Sequence, residues 1–348
     1  MDKINDAIPA FSALMNQFNY TQAQMDQLQL ASEISTGLSM VAIILIIAVY
    51  IYMLFYHPRD ANRVSLRCVI GANVVTLVDH CIVWKLGYVT LDTTYCQAFR
   101  VLDGLFTIMS CCLLGVVGVH LFLVLVCHLS WPCRPEYILI PSCVIFTFIA
   151  NVFSFTDEDL PAEFEKLIHA DTRECWFYNA FLDRVYNRTS WIYYYSFMFL
   201  VIVVATLSSV SAMWKVYFDK RRNQRTMDEI TARGIGAAVP DGAEHEHRES
   251  LASQCHVHQH TSNPFTKVVC RSLFYPLMPA LTYSTGFAIQ MYIVNPYHSV
   301  DFAFAMAGNV MARLAGVFTA IIFFIDPTVY PIPLELWKKC TKRIPRTT

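Results

Sequence analysis

Seven stretches of the chain hold almost nothing but apolar side chains over about 20 residues, and polar or charged runs separate them. A helix rises about 1.5 Å per residue, so such a run spans the roughly 30 Å hydrocarbon layer of a bilayer. The runs fall at about 34–56, 66–88, 96–128, 137–155, 191–218, 266–293 and 301–326. The first is the purest, with no charged side chain from Thr36 to Phe55. The fourth is the shortest and carries Pro141 near its start, which a helical bundle tolerates. The third exceeds what a bilayer needs and is expected to tilt or project. The pattern predicts an all-α membrane protein, a seven-transmembrane helix bundle over 34–326 between tails at 1–33 and 327–348.

Composition agrees with lipid as the solvent. Of 348 residues, 55% are hydrophobic and only 15% charged, against about 25% charged in soluble domains. Mean hydropathy is +0.40. The mostly polar first 33 residues lack a basic start and an apolar core, which argues against a cleaved signal peptide. The 12 cysteines are spread through apolar stretches rather than forming a disulfide framework, and nothing points to nucleic acid as a partner.

An odd number of spans puts the two termini on opposite sides, and the basic residues choose which. Arg59, Arg63 and Arg67 lie in the first loop of one side and Arg134 in the second. Nine more fall between Lys215 and Arg271 and five between Lys338 and Arg346, so this side holds 18 of the 26. The positive-inside rule makes it the cytoplasm and leaves the N-terminus outside, at the plasma membrane. The N-glycosylation sequons at Asn19 and Asn187 both fall on the predicted outside. Cys96 and Cys175 are the cysteines at that face: either an oxidising exterior joins them and pins the 156–190 loop across the bundle mouth, or they are free thiols. That loop carries eight acidic against four basic residues and reads as a solvated surface.

On the inside, Asp219 to Arg225 continues the fifth span as a basic helix carrying Arg221, Arg222 and Arg225. The segment at about 226–262 is small, polar and expected to be disordered. Its histidines at 245, 247, 256, 258 and 260 lack the paired spacing of a zinc site, and neither metal nor cofactor is expected. Past the last span, Leu334 to Cys340 reads as a short amphipathic helix under the membrane, with Cys340 as a palmitoylation candidate.

Ionisable groups inside spans are costly and each needs a partner or a task. Asp79 and His80 fall in the second span and Arg313 in the seventh, Asp79 and Arg313 both roughly 20 Å above the inner boundary by helical rise. Two readings stand: an Asp79–Arg313 ion pair, or an Arg313 that faces the central cavity and holds an anionic ligand. Nearer the outside, Arg100 and Asp103 lie one turn apart, about 6 and 10 Å below Cys96. With Lys85 and Trp191 they are the ligand-mouth candidates, a local salt bridge being the rival. Of the consecutive Tyr193, Tyr194 and Tyr195, which an α-helix cannot put on one face, some are expected in the interfacial belt.

Pro276 and Pro279 each remove a backbone donor from the sixth span and predict a hinge. Asp326 and Pro327 break the seventh at the same side. Two weakened helices at the inner face describe a bundle that opens inward to admit a partner.

Together these features resemble the G-protein-coupled receptors, most closely the fungal nutrient-sensing (glucose) receptors and the slime-mould cyclic-AMP receptors. The resemblance rests on Arg271-Ser272-Leu273-Phe274-Tyr275-Pro276-Leu277-Met278-Pro279, on Phe323-Phe324-Ile325-Asp326-Pro327, on Cys96-Gln97-Ala98-Phe99 and on Cys175-Trp176-Phe177-Tyr178. Val126-Cys127-His128 lacks the acidic-Arg-aromatic triplet of rhodopsin-like receptors, and the seventh span has no lysine for a retinal Schiff base. The resemblance implies an unidentified extracellular ligand, outward movement of helix six, and a heterotrimeric G protein as partner. Arg221, Arg222, Arg225, Lys267 and Arg271 are its contact candidates, and no enzymatic activity is expected. The alternatives are a membrane transporter, which usually shows duplicated broken helices, and a zinc-dependent membrane hydrolase, which needs His and Asp converging at one face.

Overall fold

In lipid each backbone N–H and C=O must find its partner within the segment, so long apolar runs become helices. The computed structural model describes residues 20–86, 93–129, 134–152, 194–236, 272–292 and 300–326, with 329, 330 and 332. Among the described residues every regular element is helical. The elements are α1 (Gln22–Tyr56), α2 (Val64–Leu86), α3 (Thr93–Leu125), α4 (Glu136–Val152), α5 (Ser196–Gly236), α6 (Met278–Tyr292), α7 (Phe302–Arg313) and α8 (Ala315–Ile325). A four-residue helical turn, Pro58–Ala61, joins α1 to α2, and a 3-10 turn, Tyr275–Leu277, precedes α6. Among the described residues four helices are long and apolar enough to cross a membrane, five when α7 and α8 count as one bent span. That content is the one expected of a multi-pass membrane protein.

Local chemistry sets the ends. Thr21 begins α1 with a capping box: the Thr21 N–H donates to Gln24 Oε1 at 2.9 Å and the Gln24 N–H to Thr21 Oγ1 at 3.3 Å. Just before it, the Tyr20 hydroxyl donates to the Val300 carbonyl at 3.1 Å and its ring meets Phe302 edge-on. Burial and the nearby Asp301 carboxylate push the Tyr20 phenol above its ordinary value, so it remains a donor at neutral pH. Pro58 stops α1, because the ring disfavours helical backbone at the preceding His57. At the end of α3 the Leu129 N–H reaches back to Leu123 O at 3.0 Å, with His128 in the left-handed region at φ 53°. Histidine thus holds the left-handed position that closes many helices and where glycine is usual.

The faces of α1 are inverted relative to a soluble helix. Ser35, Thr36 and Ser39 are buried while Leu38, Val41 and Leu45 are exposed. Small polar groups inside and large apolar ones outside are what a lipid surround demands. The third helix is the axis: α3 packs against α2, α4, α5, the 3-10 turn and α6. The ring closes where α7 and α8 pack against α1, and α6 lies against α7. Gly118 lets α3 approach its neighbours, since a Cβ there would lie 2.6 Å from Ser209 Oγ and 3.1 Å from Pro276 Cβ.

Three elements depart from the sequence expectation. The first helix begins at Gln22, behind the Thr21 cap, and not at about 34. The last span, expected as one helix over 301–326, is two helices that meet at Leu314 with a 51° bend. The bend stands without proline because Ser39 of α1 caps the second half, as set out below. The fifth helix runs unbroken to Gly236, so the expected irregular loop starts later than 226; the remainder of that loop lies outside the described residues. At the proline pair the 3-10 turn holds Pro276, and regular α-helix resumes only with Pro279 in the first turn of α6. Asp326 ends α8 with extended backbone, φ −60° and ψ 127°, the conformation a following proline imposes.

Candidate functional site

A cavity of about 170 Å³ lies between α2, α3, α5, α6 and α7. Asp79 and His80 reach it from α2, Asp103 from α3, and Asn309 and Arg313 from α7. Asn309 and Arg313 are four apart and so share one face of α7. Asp79 is 6% exposed, His80 3% and Asp103 8%. Each helix brings a charge that its apolar neighbours cannot solvate, and the three meet.

The carboxyls of Asp79 and Asp103 adjoin one another, within hydrogen-bonding reach. The Arg313 guanidinium is close enough to act coulombically on Asp79, Asp103 and His80. The Asp79–Arg313 juxtaposition expected from depth is therefore present, but with a second carboxylate in it. Asp79 Oδ1 is buried and accepts no hydrogen bond among the described residues, and His80 Nδ1 stands 3.9 Å from Asp79 Oδ2. Two carboxyls thus share one guanidinium among the described residues, and carboxyls in hydrogen-bonding reach hold a proton between them. Two adjacent carboxylates in a low-dielectric interior are costly unless a proton or a cation answers them.

His80 faces a second partner on its other nitrogen. Its Nε2 lies 2.9 Å from Ser39 Oγ, which also accepts the Gly316 N–H at 3.0 Å. The bend at Leu314 leaves the first N–H groups of α8 without intrahelical carbonyls, and Ser39 satisfies one of them. A Cβ on Gly316 would meet Ser39 Oγ and lie 2.7 Å from Ile43, so glycine is what lets α1 come this close.

Aromatic rings wall the opposite side. Tyr194 and Tyr195 occupy a π-helical turn that leads into α5, and both are buried and line the cavity. The wider turn sets these two adjacent residues at a smaller angle about the axis than an α-helix does; Tyr193, the third of the run, lies outside the described residues. Tyr195 meets Phe287 of α6 edge-on with centroids 5.6 Å apart. Phe106 and Tyr283 complete the wall.

Below the cavity a polar file continues through the bundle. A void of about 20 Å³, room for one water, is lined by Asn73, Thr76, Ser110, Thr282 and Thr319. Thr76, Ser110 and Tyr283 line both spaces, and the Thr76 and Ser110 hydroxyls are 2.7 Å apart. Met278 and Pro279 form part of the lower void, so the file joins the charged cavity to the proline-broken start of α6.

The structure thus brings Asp79, Asp103 and Arg313 together. It draws Asp103 away from the proposed mouth and into the bundle, against Asp79. Lys85 and Arg100 fall near the ends of α2 and α3, and Cys96 in the first turn of α3, with side chains outside the described residues. Trp191, Cys175, Asn19, Asn187, Lys267, Arg271, Pro327 and Cys340 lie outside the described residues altogether. None of the described cysteines is in a disulfide. Arg221, Arg222 and Arg225 are exposed on the extension of α5. Sequence reasoning missed Ser39, Tyr194, Tyr195, Gly286 and Asn309 as site residues. Asn309 carried a readable signal, a polar side chain at helical spacing from Arg313; the others depend on which way their helices turn.

No protein-family model matches the chain, and no curated protein matches its sequence.

Proposed function

We propose that this chain is a seven-helix receptor of the plasma membrane, with its N-terminus outside, that passes an extracellular chemical signal to a heterotrimeric G protein. The observation that carries the reading is the polar file from the charged cavity to the broken base of α6. A ligand in the cavity touches α2, α3, α5, α6 and α7 at once, and the polar file beneath it ends on the element least fixed in its helix. Pro276 lacks an N–H and packs against Gly118, so the 3-10 turn has fewer backbone bonds to hold it than a regular helix. Ligand contacts that differ between two positions of α6 shift the population toward the one that opens the inner face. The α5 extension then offers Arg221, Arg222 and Arg225 to the partner, with Lys267 and Arg271 joining from the approach to helix six. The resemblance to nutrient-sensing and cyclic-AMP receptors belongs to this proposal, as do the Cys96–Cys175 disulfide, glycans on Asn19 and Asn187, and acylation of Cys340.

The test is co-expression of the chain with a panel of G proteins while nutrients, amines and nucleotides are screened. Agonist-dependent nucleotide exchange is the expected result. Silence across the panel, with folded protein at the cell surface, overturns the reading.

A second reading is favoured by one observation. A helix broken beside a charge at mid-bundle, as α7 and α8 are at Arg313 and Leu314, is how many secondary transporters build a solute site. Uptake of radiolabelled solute into vesicles holding the purified chain separates carrier from receptor.

A further inference from the structure

We infer that the cavity between α2, α3, α5, α6 and α7 takes a small organic cation bearing an ammonium group, held by Asp79 and Asp103 against a wall of aromatic rings. The assignment rests on the receptor reading in taking this cavity as the agonist site.

Charge comes first. Asp79 and Asp103 face the space together, and Arg313 is the one guanidinium among the described residues that acts on both. Carboxyls in hydrogen-bonding reach of each other hold a proton between them in the empty site, which leaves one negative charge opposite Arg313. An ammonium group that takes the place of this proton lets both carboxylates ionise against it, the proton going to solvent; an anion or a neutral sugar offers no such exchange. The side chain that calls for the ammonium group is Asp79, which is 6% exposed, lines the cavity and has an Oδ1 that accepts no hydrogen bond among the described residues.

The walls decide between an inorganic and an organic cation. A metal ion of the sodium type is held by a close shell of oxygen ligands. Here Phe106, Tyr194, Tyr195, Tyr283 and Phe287 border the same space as the carboxylates. Aromatic faces attract ammonium groups through their quadrupole, and cages of such rings recognise alkylated ammonium. Size sets the upper limit. A cavity of about 150 Å³ accommodates a ring of six carbons, and this one is about 170 Å³. It therefore fits a molecule the size of tetramethylammonium or choline. Drug-sized ligands occupy pockets of roughly 300–1,000 Å³, so a cyclic nucleotide or a peptide would extend well beyond it.

Gly286 supplies a clean probe. It lines the cavity, and a Cβ built there has no atom within 4 Å. Gly286→Leu projects its side chain from α6 into that space.

The experiment uses the full chain purified in a neutral detergent. The thermal unfolding midpoint and calorimetric titration are followed with tetramethylammonium chloride, choline chloride, sodium chloride, sodium acetate, glucose and cyclic AMP. The expected result is saturable binding of tetramethylammonium or choline. Asp103→Asn weakens it by at least about tenfold, and Gly286→Leu abolishes it while leaving the ligand-free midpoint close to wild type. Three results overturn the assignment: no saturable ammonium binding by folded protein, an equal effect of sodium chloride alone, or binding of acetate, glucose or cyclic AMP that Gly286→Leu removes. If Asp103→Asn does not fold, Gly286→Leu alone decides. The two readings fail separately. Ammonium binding without G-protein exchange removes the receptor and keeps the cavity assignment, whereas exchange driven by a sugar or nucleotide in Gly286→Leu does the reverse.

Discussion

Arg313 sits where three helices each contribute a charge, and its value to the fold follows from what its removal leaves behind. Two adjoining carboxylates would then stand in a nearly dry interior without a described cation. Breaking a buried pair by taking one partner costs about 3–5 kcal/mol, mostly as the penalty on the charge left over. Arg313→Gln is therefore expected to lower stability by about that much. Adding Asp79→Asn to Arg313→Gln should recover part of it, giving a coupling of about 1–3 kcal/mol in a double-mutant cycle followed by thermal unfolding in detergent. Strictly additive losses would mean the two groups do not share a site. Ser39 makes a parallel case without charge. Its Oγ answers both the Gly316 N–H and His80 Nε2, so Ser39→Ala orphans two buried groups and should cost about 1–3 kcal/mol. An unchanged unfolding midpoint would show that the Gly316 N–H finds another acceptor.

At the scale of the element, what could be read in advance was what depends on a single run of residues. The extents of α2, α3 and α4 and the end of α1 follow from apolar length, and the end of α8 from the proline after Asp326, whereas the start of α1 is set by the Thr21 cap well before its apolar run. The break inside the last span did not, because nothing within 301–326 requires it at Leu314. It is held by a hydroxyl 277 residues away in sequence, and the one local hint was Gly316. The meeting of Asp103 with Asp79 was within reach. Asp103 was placed about 10 Å below the outer boundary and Asp79 about 20 Å above the inner one. In a layer of roughly 30 Å those are the same depth. Depth matched them, and only the rotation of α3 about its axis, which packing decides, remained to be learned. The close of α3 offers a prediction of its own. His128 holds a left-handed conformation that costs an L side chain about 1–2 kcal/mol and glycine almost none. His128→Gly is expected to raise stability by about 1 kcal/mol, after part of the gain is lost to the freer unfolded chain. A lower unfolding midpoint would mean that the imidazole makes contacts worth more than the strain.

For the whole molecule the open quantity is how many of these helices cross, and parity makes it measurable. The helices α1, α2, α3 and α5, with the bent α7–α8 pair, are long and apolar enough, whereas α4 has 17 residues and α6 has 15 beyond its 3-10 turn. At about 1.5 Å per residue α4 reaches roughly 25 Å, near the lower limit for a bilayer. If both short helices cross, the count is odd and the termini part. If one of them does not, the count is even and both termini share a side. An N-terminal epitope tag should therefore be stained on intact cells, and a C-terminal tag only after permeabilisation. Parity alone cannot detect the failure of both, but the loop between α4 and α5 can. Asn187 lies in that loop, which is outside only when α4 crosses. Asn187→Gln should then remove a glycan and speed the protein on a denaturing gel, as Asn19→Gln should at the N-terminus. Opposite termini with a glycan on Asn187 require α4 and α6 both to span. Opposite termini without it leave five crossings, and with five the basic end of α5 and the base of α6 no longer share the cytoplasmic face that the receptor mechanism needs.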